Sequence, residues 1–123
     1  MKLQMEQMEE QKLPGFKGGK KEFYLRSFSD SRNKIMKGRL EPGASIGMHT
    51  HESNSEIIYI LEGMGTMYLA DGGREMLEAG DCHYCPMGTG HSLCNEGDRD
   101  LIFFAVVPEH LPPRPKSPKR RSS

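Results

Sequence analysis

One stretch of the sequence, Gly43 to Gly63, holds three potential metal ligands and limits the possible folds of the chain more than any other. His49 and His51 are separated by a single residue, so on an extended chain both imidazoles project from the same side. The residues that follow are rich in Ser and Asn, which form turns and allow Glu56 to begin the next strand beside the imidazoles. We therefore expect one hairpin to supply three ligands.

A fourth ligand has to come from elsewhere in the chain, and His91 is the candidate. This residue lies between the turn sequence Pro-Met-Gly-Thr-Gly and a short apolar run. Neutral imidazoles with one carboxylate suit a first-row divalent ion better than calcium or magnesium, which prefer oxygen ligands. The expected cofactor is therefore one divalent transition metal ion, and manganese, iron, zinc and nickel all stay open.

Two stretches of the chain follow defined residue spacings. The pattern G-(x)5-H-x-H-(x)4-E-(x)6-G fits Gly43 to Gly63, and the pattern G-(x)5-P-x-G-(x)2-H-(x)3-N fits Gly80 to Asn95. All ten defined positions match in order, with sixteen residues between the two stretches. These are the two motifs of the cupin superfamily, and the chain resembles a small single-domain bacterial cupin of the cupin 2 conserved barrel type.

The resemblance implies an all-β fold, a double-stranded β-helix of the jelly-roll type, with a metal held inside by His49, His51, Glu56 and His91. Composition agrees, because 123 residues suffice for one core, and 14 glycines and eight prolines indicate short strands joined by turns. Cupins commonly dimerise, so a homodimer is expected. The run that starts at Glu56 is apolar on both faces, which favours a covered outer face.

The sequence divides into three parts. Residues 1–21 form an N-terminal arm with a weak helical stripe of methionines, which we expect to be flexible or to dock on the barrel. Residues 22–111 form the expected barrel. Residues 112–123 contain four prolines and five basic side chains, which indicates a disordered tail.

Charge and hydropathy limit the partners and the location. The last twelve residues contain no acidic side chain, so the preceding 111 residues carry 12 Lys and Arg against 17 Asp and Glu. A mildly acidic folded part argues against a nucleic-acid partner. No segment approaches the ~20 apolar residues of a membrane span, and the polar N-terminus lacks the apolar core of a secretory signal. We expect a cytoplasmic protein with free thiols.

Four further side chains are candidates for contact with a small-molecule substrate. Lys37 and Arg39 share one face of a predicted strand, whose other face carries apolar residues. Met48 is adjacent to the first histidine, and Tyr68 lies on a later predicted strand. The sequence assigns no catalytic acid or base.

The Cys82-x-x-Cys85 spacing is shared by zinc and redox sites. Three residues along a strand place the two sulfurs on opposite faces, and only Cys94 remains to complete a zinc site. We interpret the thiols as buried packing residues, and a position in the pocket stays open for Cys85 and Cys94. His83 lies outside the motif positions, and we expect it at the surface.

Three functions stay open. The first, which we favour, is a metal-dependent enzyme acting on a sugar acid, keto acid or diol, of the dioxygenase, decarboxylase, isomerase or lyase type. The second is a non-catalytic module that binds or senses a sugar or carboxylate, and a pocket without a group able to move a proton would favour it. The third is a regulatory or interaction protein that uses the basic tail, although the chain has no helix-turn-helix pattern.

Overall fold

The computed structural model describes residues 1–110, so the expected disordered tail and the last residue of the expected barrel lie outside the described residues. Within this part of the chain, ten strands and two short 3₁₀ helices, Met5–Gln7 and Phe16–Gly18, follow one another. The strands are β1 (Gln11–Pro14), β2 (Glu22–Ser29), β3 (Asn33–Leu40), β4 (His49–Thr50), β5 (Glu56–Glu62), β6 (Met64–Leu69), β7 (Arg74–Glu78), β8 (Cys82–Cys85), β9 (Gly90–Cys94) and β10 (Leu101–Pro108).

The strands form two antiparallel sheets. One sheet has six strands in the order β1-β2-β3-β10-β5-β8, and the other has four strands in the order β4-β9-β6-β7. Some neighbouring strands, such as β3 and β10, are far apart in the sequence, so the chain crosses over between them. The expected all-β double-stranded β-helix is confirmed. No helix in residues 1–110 is long and apolar enough to cross a membrane.

A single apolar core lies between the sheets, and the period-two alternation of the strands selects its members. On β3 the side chains of Met36 and Leu40 are buried, and on β10 the ring of Phe103 is 1% exposed. Gly38 lies between them on the inner face, where an added Cβ would come within 2.5 Å of the Phe103 ring and 2.7 Å of the Phe23 ring. The core therefore requires glycine at this position.

The N-terminal arm differs from the expected helical stripe. The methionine stripe forms a single 3₁₀ turn, Met5–Gln7, and β1 follows it and pairs antiparallel with β2, with Leu13 opposite Phe23. Leu13 packs against the core, which explains why the arm docks as a strand. The start of β2 at Glu22 agrees with the expected boundary of the barrel, yet β1 extends the same sheet. The division into arm and barrel therefore stays a prediction.

A second part of the arm, residues 15–19, packs closely on the turn that precedes the first histidine, and we call it the arm turn. The Gly47 N–H donates a hydrogen bond to the carbonyl oxygen of Phe16 at 3.1 Å. A Cβ added at Gly47 would lie 1.9 Å from the carbonyl oxygen of Lys17. Gly47 thus permits direct contact between the backbone of the arm turn and the backbone beside the site.

Candidate metal centre

The structure brings the four predicted ligands together inside the barrel. His49 lies on β4 and His91 on β9, and these two residues are directly opposite each other in the antiparallel pair. Glu56 is the first residue of β5, and His51 lies in the turn that connects β4 to it. One ligand atom from each of the four side chains lies within 4.8 Å of the others, so this cluster could hold a metal ion.

The distances within the cluster fit metal coordination. Oε1 of Glu56 lies 3.1 Å from Nε2 of His51 and 2.9 Å from Nε2 of His91, and these two nitrogens are 3.2 Å apart. Nε2 of His49 is 4.0 Å from the same oxygen. Ligand atoms about 2.1 Å from an octahedral ion are about 3.0 Å apart along an edge of the octahedron. The three short distances match that spacing.

Hydrogen bonds on the outer side of two rings fix which nitrogen faces the centre. Nδ1 of His49 lies 2.8 Å from the carbonyl oxygen of Gly47, and Nδ1 of His51 lies 2.7 Å from Oδ1 of Asn54. Since both oxygens can only accept, both Nδ1 atoms donate. With Nδ1 as the donor, each ring in its neutral form presents the lone pair of Nε2 to the interior of the cluster, where a metal ion would bind, as metal-binding histidines do.

The electrostatics of the cluster favour a bound cation. Burial raises the pKa of the Glu56 carboxyl, but its hydrogen bonds with His51 and His91 outweigh burial and hold the pKa at about 2. Burial lowers the pKa of His49, whereas the hydrogen bond to Glu56 raises the pKa of His51. An ionised carboxylate and the imidazole nitrogens that face it thus share one buried volume, and a divalent cation could replace the protons between them.

A pocket of about 390 Å³ opens beside the cluster. Its wall includes the four candidate ligands, apolar side chains from both sheets, and the charged residues Lys17, Lys34 and Glu52. Lys17 belongs to the arm turn and has a left-handed backbone, with a φ of 57°. No sequence pattern indicated this lysine, because its position depends on the docking of the arm. The pocket therefore combines a metal-binding cluster with two basic side chains and one acidic side chain.

The structure corrects the expectation that Lys37 and Arg39 contact a substrate. Both side chains lie on the outer face of β3, because the alternate residues of that strand fill the core. Lys37 forms an ion pair with Glu6, and Nη2 of Arg39 lies 2.9 Å from Oε1 of Glu10. The two basic side chains fasten the N-terminal arm and do not line the pocket beside the metal cluster.

Met48 and Tyr68 are also absent from the pocket wall within residues 1–110. The side chain of Met48 is 48% exposed, since it points away from the neighbouring histidine along an extended segment. The hydroxyl of Tyr68 donates to Oε2 of Glu96 at 2.6 Å on the outside of the four-stranded sheet. The expected substrate contacts of these two residues are corrected in the same way.

His83 is buried, which corrects its expected surface position. Its side chain is only 3% exposed, and Nε2 lies 3.0 Å from Nδ1 of His91. Cys82 is exposed, contrary to the expected packing role, whereas Cys85 is buried and lines a second pocket next to His83. The alternation along β8 could have indicated this arrangement, because His83 and Cys85 share the face opposite Cys82.

Comparison with known proteins agrees with this architecture. Residues 36–107, more than half of the chain, match the family described as Cupin domain. The chain belongs to the cupin family. This cupin is 36% identical over 104 residues to the oxalate-binding protein of Thermotoga maritima, an alignment that covers 79% of this chain and 84% of that protein. The predicted resemblance to cupins is thus confirmed.

Two further relatives extend the comparison. The cupin is 34% identical over 71 residues to the oxalate decarboxylase OxdC of Bacillus subtilis, which covers 54% of this chain but only 18% of that protein. Its fold also superposes on the crystal structure of a predicted oxalate decarboxylase from Thermotoga maritima, with a TM-score of 0.83 and 30% identity. That match covers 89% of this chain and 99% of the other.

Proposed function

We propose that this cupin holds one divalent transition metal ion through His49, His51, Glu56 and His91, and that it binds oxalate or a similarly small dicarboxylate at that ion. The observation that carries the proposal is the convergence of four ligand atoms within 4.8 Å of one another. The names of the relatives support oxalate as the ligand class.

The number of protein ligands agrees with a chelating substrate. An octahedral ion with four protein ligands keeps two further positions, and a dicarboxylate can occupy both through one oxygen from each carboxylate. When bound, the metal supplies Lewis-acid attachment for these oxygens. The protein itself contributes the rigid first set of ligands, since β4, β5 and β9 fix three of them within hydrogen-bonded sheets.

Two lysines favour an anionic ligand in the same pocket. Lys17 and Lys34 both line the wall, and a dicarboxylate carries two negative charges near neutral pH. Oxygen atoms of the ligand that do not face the metal can accept hydrogen bonds from these ammonium groups, which carry three donors each. We therefore assign Lys17 and Lys34 as candidate substrate contacts.

Decarboxylation is a second candidate function, and Glu52 is the observation that favours it. Its carboxyl group lines the pocket at the exposed rim and could hold a proton for transfer. In the balanced reaction, the oxalate dianion loses carbon dioxide by cleavage of its C–C bond, the electron pair of that bond stays on the remaining carbon, and a proton from Glu52 joins this carbon to give formate; Glu52 then regains a proton from water. A binding module would have no use for this proton, so Glu52→Gln separates the two functions.

Elemental analysis and oxalate titration test the proposal together. Protein purified without chelator, and after reconstitution, should contain near one equivalent of metal, and calorimetry should detect oxalate binding only to the metal-loaded form. His51→Ala should lose the metal while the circular dichroism of the barrel is retained. Lys37→Ala, on the outer face, is the matched control. Unchanged metal content in the His51→Ala variant would contradict the proposed centre.

A homodimer through the outer face of β5 is also proposed. Ile57, Tyr59 and Leu61 expose 39–44% of their surfaces there, and Tyr84 on the adjacent β8 is 58% exposed. A row of large apolar side chains across two neighbouring strands is typical of an interface between subunits. Analytical ultracentrifugation should give a dimer for the wild type and a monomer for Tyr59→Glu. A wild-type monomer at micromolar concentration would contradict this assignment.

A cytoplasmic location completes the proposal. The three cysteines are free thiols, and free thiols suit a reducing compartment. Fractionation of cells that express a tagged chain should recover it with cytoplasmic markers, and recovery with an exported fraction would overturn the assignment.

A further inference from the structure

One of the four candidate ligands is supported by a chain of hydrogen bonds that reaches the surface. Nδ1 of His91 lies 3.0 Å from Nε2 of His83, and Nδ1 of His83 lies 2.7 Å from Oε1 of Glu75. The two imidazole rings are stacked, with centroids 5.2 Å apart. Neither His83 nor Glu75 occupies a defined position of the two cupin motifs. Their contacts nevertheless join the buried cluster to an exposed carboxylate on β7.

The outermost group, the Glu75 carboxylate, sets the direction of every hydrogen bond in this series. An ionised carboxylate can only accept, so Nδ1 of His83 donates to Glu75. A neutral imidazole has one donor and one acceptor nitrogen, so Nε2 of His83 accepts the Nδ1–H of His91. Nε2 of His91 is then left with its lone pair, directed at the candidate metal centre. One surface carboxylate thus selects the tautomer of a buried ligand two residues away in the hydrogen-bond chain.

We propose that His83 and Glu75 are positioning residues for His91, which fix the tautomer and the orientation of its ring and thereby raise the affinity of the centre for its metal. This inference rests on the proposed metal-binding function. The other two histidines donate their Nδ1 protons to oxygen acceptors within three residues of themselves in sequence. His91 instead relies on residues from two other strands, β7 and β8, which the fold must bring together.

The two histidines of this hydrogen-bond series are buried, which explains why the series can support His91 rigidly. His91 is 2% exposed and His83 is 3% exposed, so water cannot replace either partner when one is removed. Outer hydrogen bonds to ligating histidines typically change metal affinity by about 10- to 100-fold. We expect an effect in that range from loss of the acceptor at position 83.

Cys85 offers an alternative interpretation of the same region. His83, Cys85 and His91 also lie close enough together to hold a metal ion. A metal bound there through Nδ1 of His91 would displace the proton that His83 accepts, so the two arrangements exclude each other. Sγ of Cys85 lies 3.2 Å from Oγ1 of Thr89, which gives it a partner outside the chain of hydrogen bonds. Cys85→Ala therefore serves as the control for a second metal site.

The experiment measures the dissociation constant of Mn²⁺ or Zn²⁺ alone, by competition with a chelator, for matched variants. His83→Phe removes the acceptor but keeps a planar ring, and we expect affinity to fall about 10- to 100-fold. His83→Gln places an amide oxygen in reach of Nδ1 and should restore most of the affinity. Glu75→Ala should weaken binding, while Glu78→Ala, an exposed carboxylate on the same strand, should not. Cys85→Ala should leave the affinity unchanged.

Nitrogen NMR of the metal-free protein gives a second readout that does not depend on metal binding. Nδ1 of His91 should carry a proton in the wild type and in His83→Gln, and lose that preference in His83→Phe. Failure of the wild type to bind any metal would overturn the proposed function, whereas a wild-type His91 without a proton on Nδ1 would overturn the positioning role. Equal metal affinity in His83→Phe and the wild type would overturn it too, and a loss in Cys85→Ala as large as in His83→Phe would favour the second metal site.

Discussion

The candidate metal centre and the outer ion-pair cluster, formed by Lys37 and Arg39 with Glu6 and Glu10, differ in how their charges are balanced. In the outer cluster each basic side chain meets a carboxylate of the N-terminal arm. In the centre, one carboxylate and the imidazole lone pairs converge, and the described residues place no lysine or arginine among the ligand atoms. The charges of the outer ion-pair cluster are balanced by its own side chains, which stabilise the fold. Within residues 1–110, the candidate metal centre has no basic side chain to balance its carboxylate and is therefore suited to bind a cation.

The largest effect that separates the two clusters is expected from Glu56→Gln. The amide keeps the shape of the side chain but removes the negative charge and offers only one oxygen ligand. Since outer hydrogen bonds alone change metal affinity by about 10- to 100-fold, loss of a charged ligand should cost at least about 100-fold. Chelator competition measures this. Glu10→Gln, in the outer cluster, should bind metal as the wild type does. An equal loss of metal affinity in both variants would contradict the difference between the two clusters.

Gly47→Ala tests the contact between the arm turn and the backbone beside the candidate metal centre. The added Cβ would lie 1.9 Å from the carbonyl oxygen of Lys17, so the arm turn has to move. Overpacking of this kind costs about 1–3 kcal/mol of unfolding free energy. The displaced Lys17 should also weaken oxalate binding more than metal binding. Denaturant unfolding and calorimetry measure the two effects, and an unchanged oxalate affinity would remove Lys17 from the proposed substrate contacts.

Arg39→Gln tests the ion pair that attaches the N-terminal arm to the outer face of β3, where a smaller effect is expected. The guanidinium pairs with Glu10 and lies 4.0 Å from the centroid of the Tyr24 ring. Partly exposed ion pairs and cation–π contacts each contribute up to about 1 kcal/mol, so we expect a loss of about 1 kcal/mol in unfolding free energy. Metal and oxalate affinities should stay at wild-type values. A loss of oxalate binding would return Arg39 to the substrate contacts.

The pH dependence of this stabilisation is the smallest expected effect. The hydrogen bond from Arg39 is the main cause that lowers the pKa of Glu10 below its ordinary value of 4.5. A carboxyl group with a lowered folded-state pKa stabilises the fold above its unfolded pKa and loses that contribution as pH falls through the folded value. The difference in unfolding free energy between the wild type and Arg39→Gln should therefore shrink from pH 7 to pH 3. A difference that is constant over this range would exclude the ion pair as its source.

The sequence predicted the parts of the fold that depend on short-range spacing. The motif positions identified the four side chains that converge, and alternation identified the two faces of β3 and β5. Alternation does not by itself say which face meets the pocket, and Lys37 and Arg39 were for that reason assigned to the wrong side. In the structure, Met36 and Leu40 on the opposite face are buried in the core, which makes the face of Lys37 and Arg39 the outer one.

The remaining parts of the site depend on contacts between distant segments. Lys17 reaches the pocket because the arm turn packs on Gly47, and no local pattern encodes that contact. His83 reaches His91 because β8 and β9 belong to different sheets whose inner faces meet. Its burial could be inferred from the alternation of β8, but its hydrogen bond to a ligand could not. Side chains that support a ligand are therefore harder to predict than the ligand itself.

The position of β10 has a consequence for how the protein is made. This strand is the last one described in the chain, and it lies between β3 and β5 in the six-stranded sheet. A ribosome thus makes all four candidate ligands before it makes the strand that joins the two halves of their supporting sheet. Nascent chains should acquire metal only after β10 has left the ribosome, so chains stalled with residue 100 at the tunnel exit should retain less metal than chains stalled with β10 fully emerged.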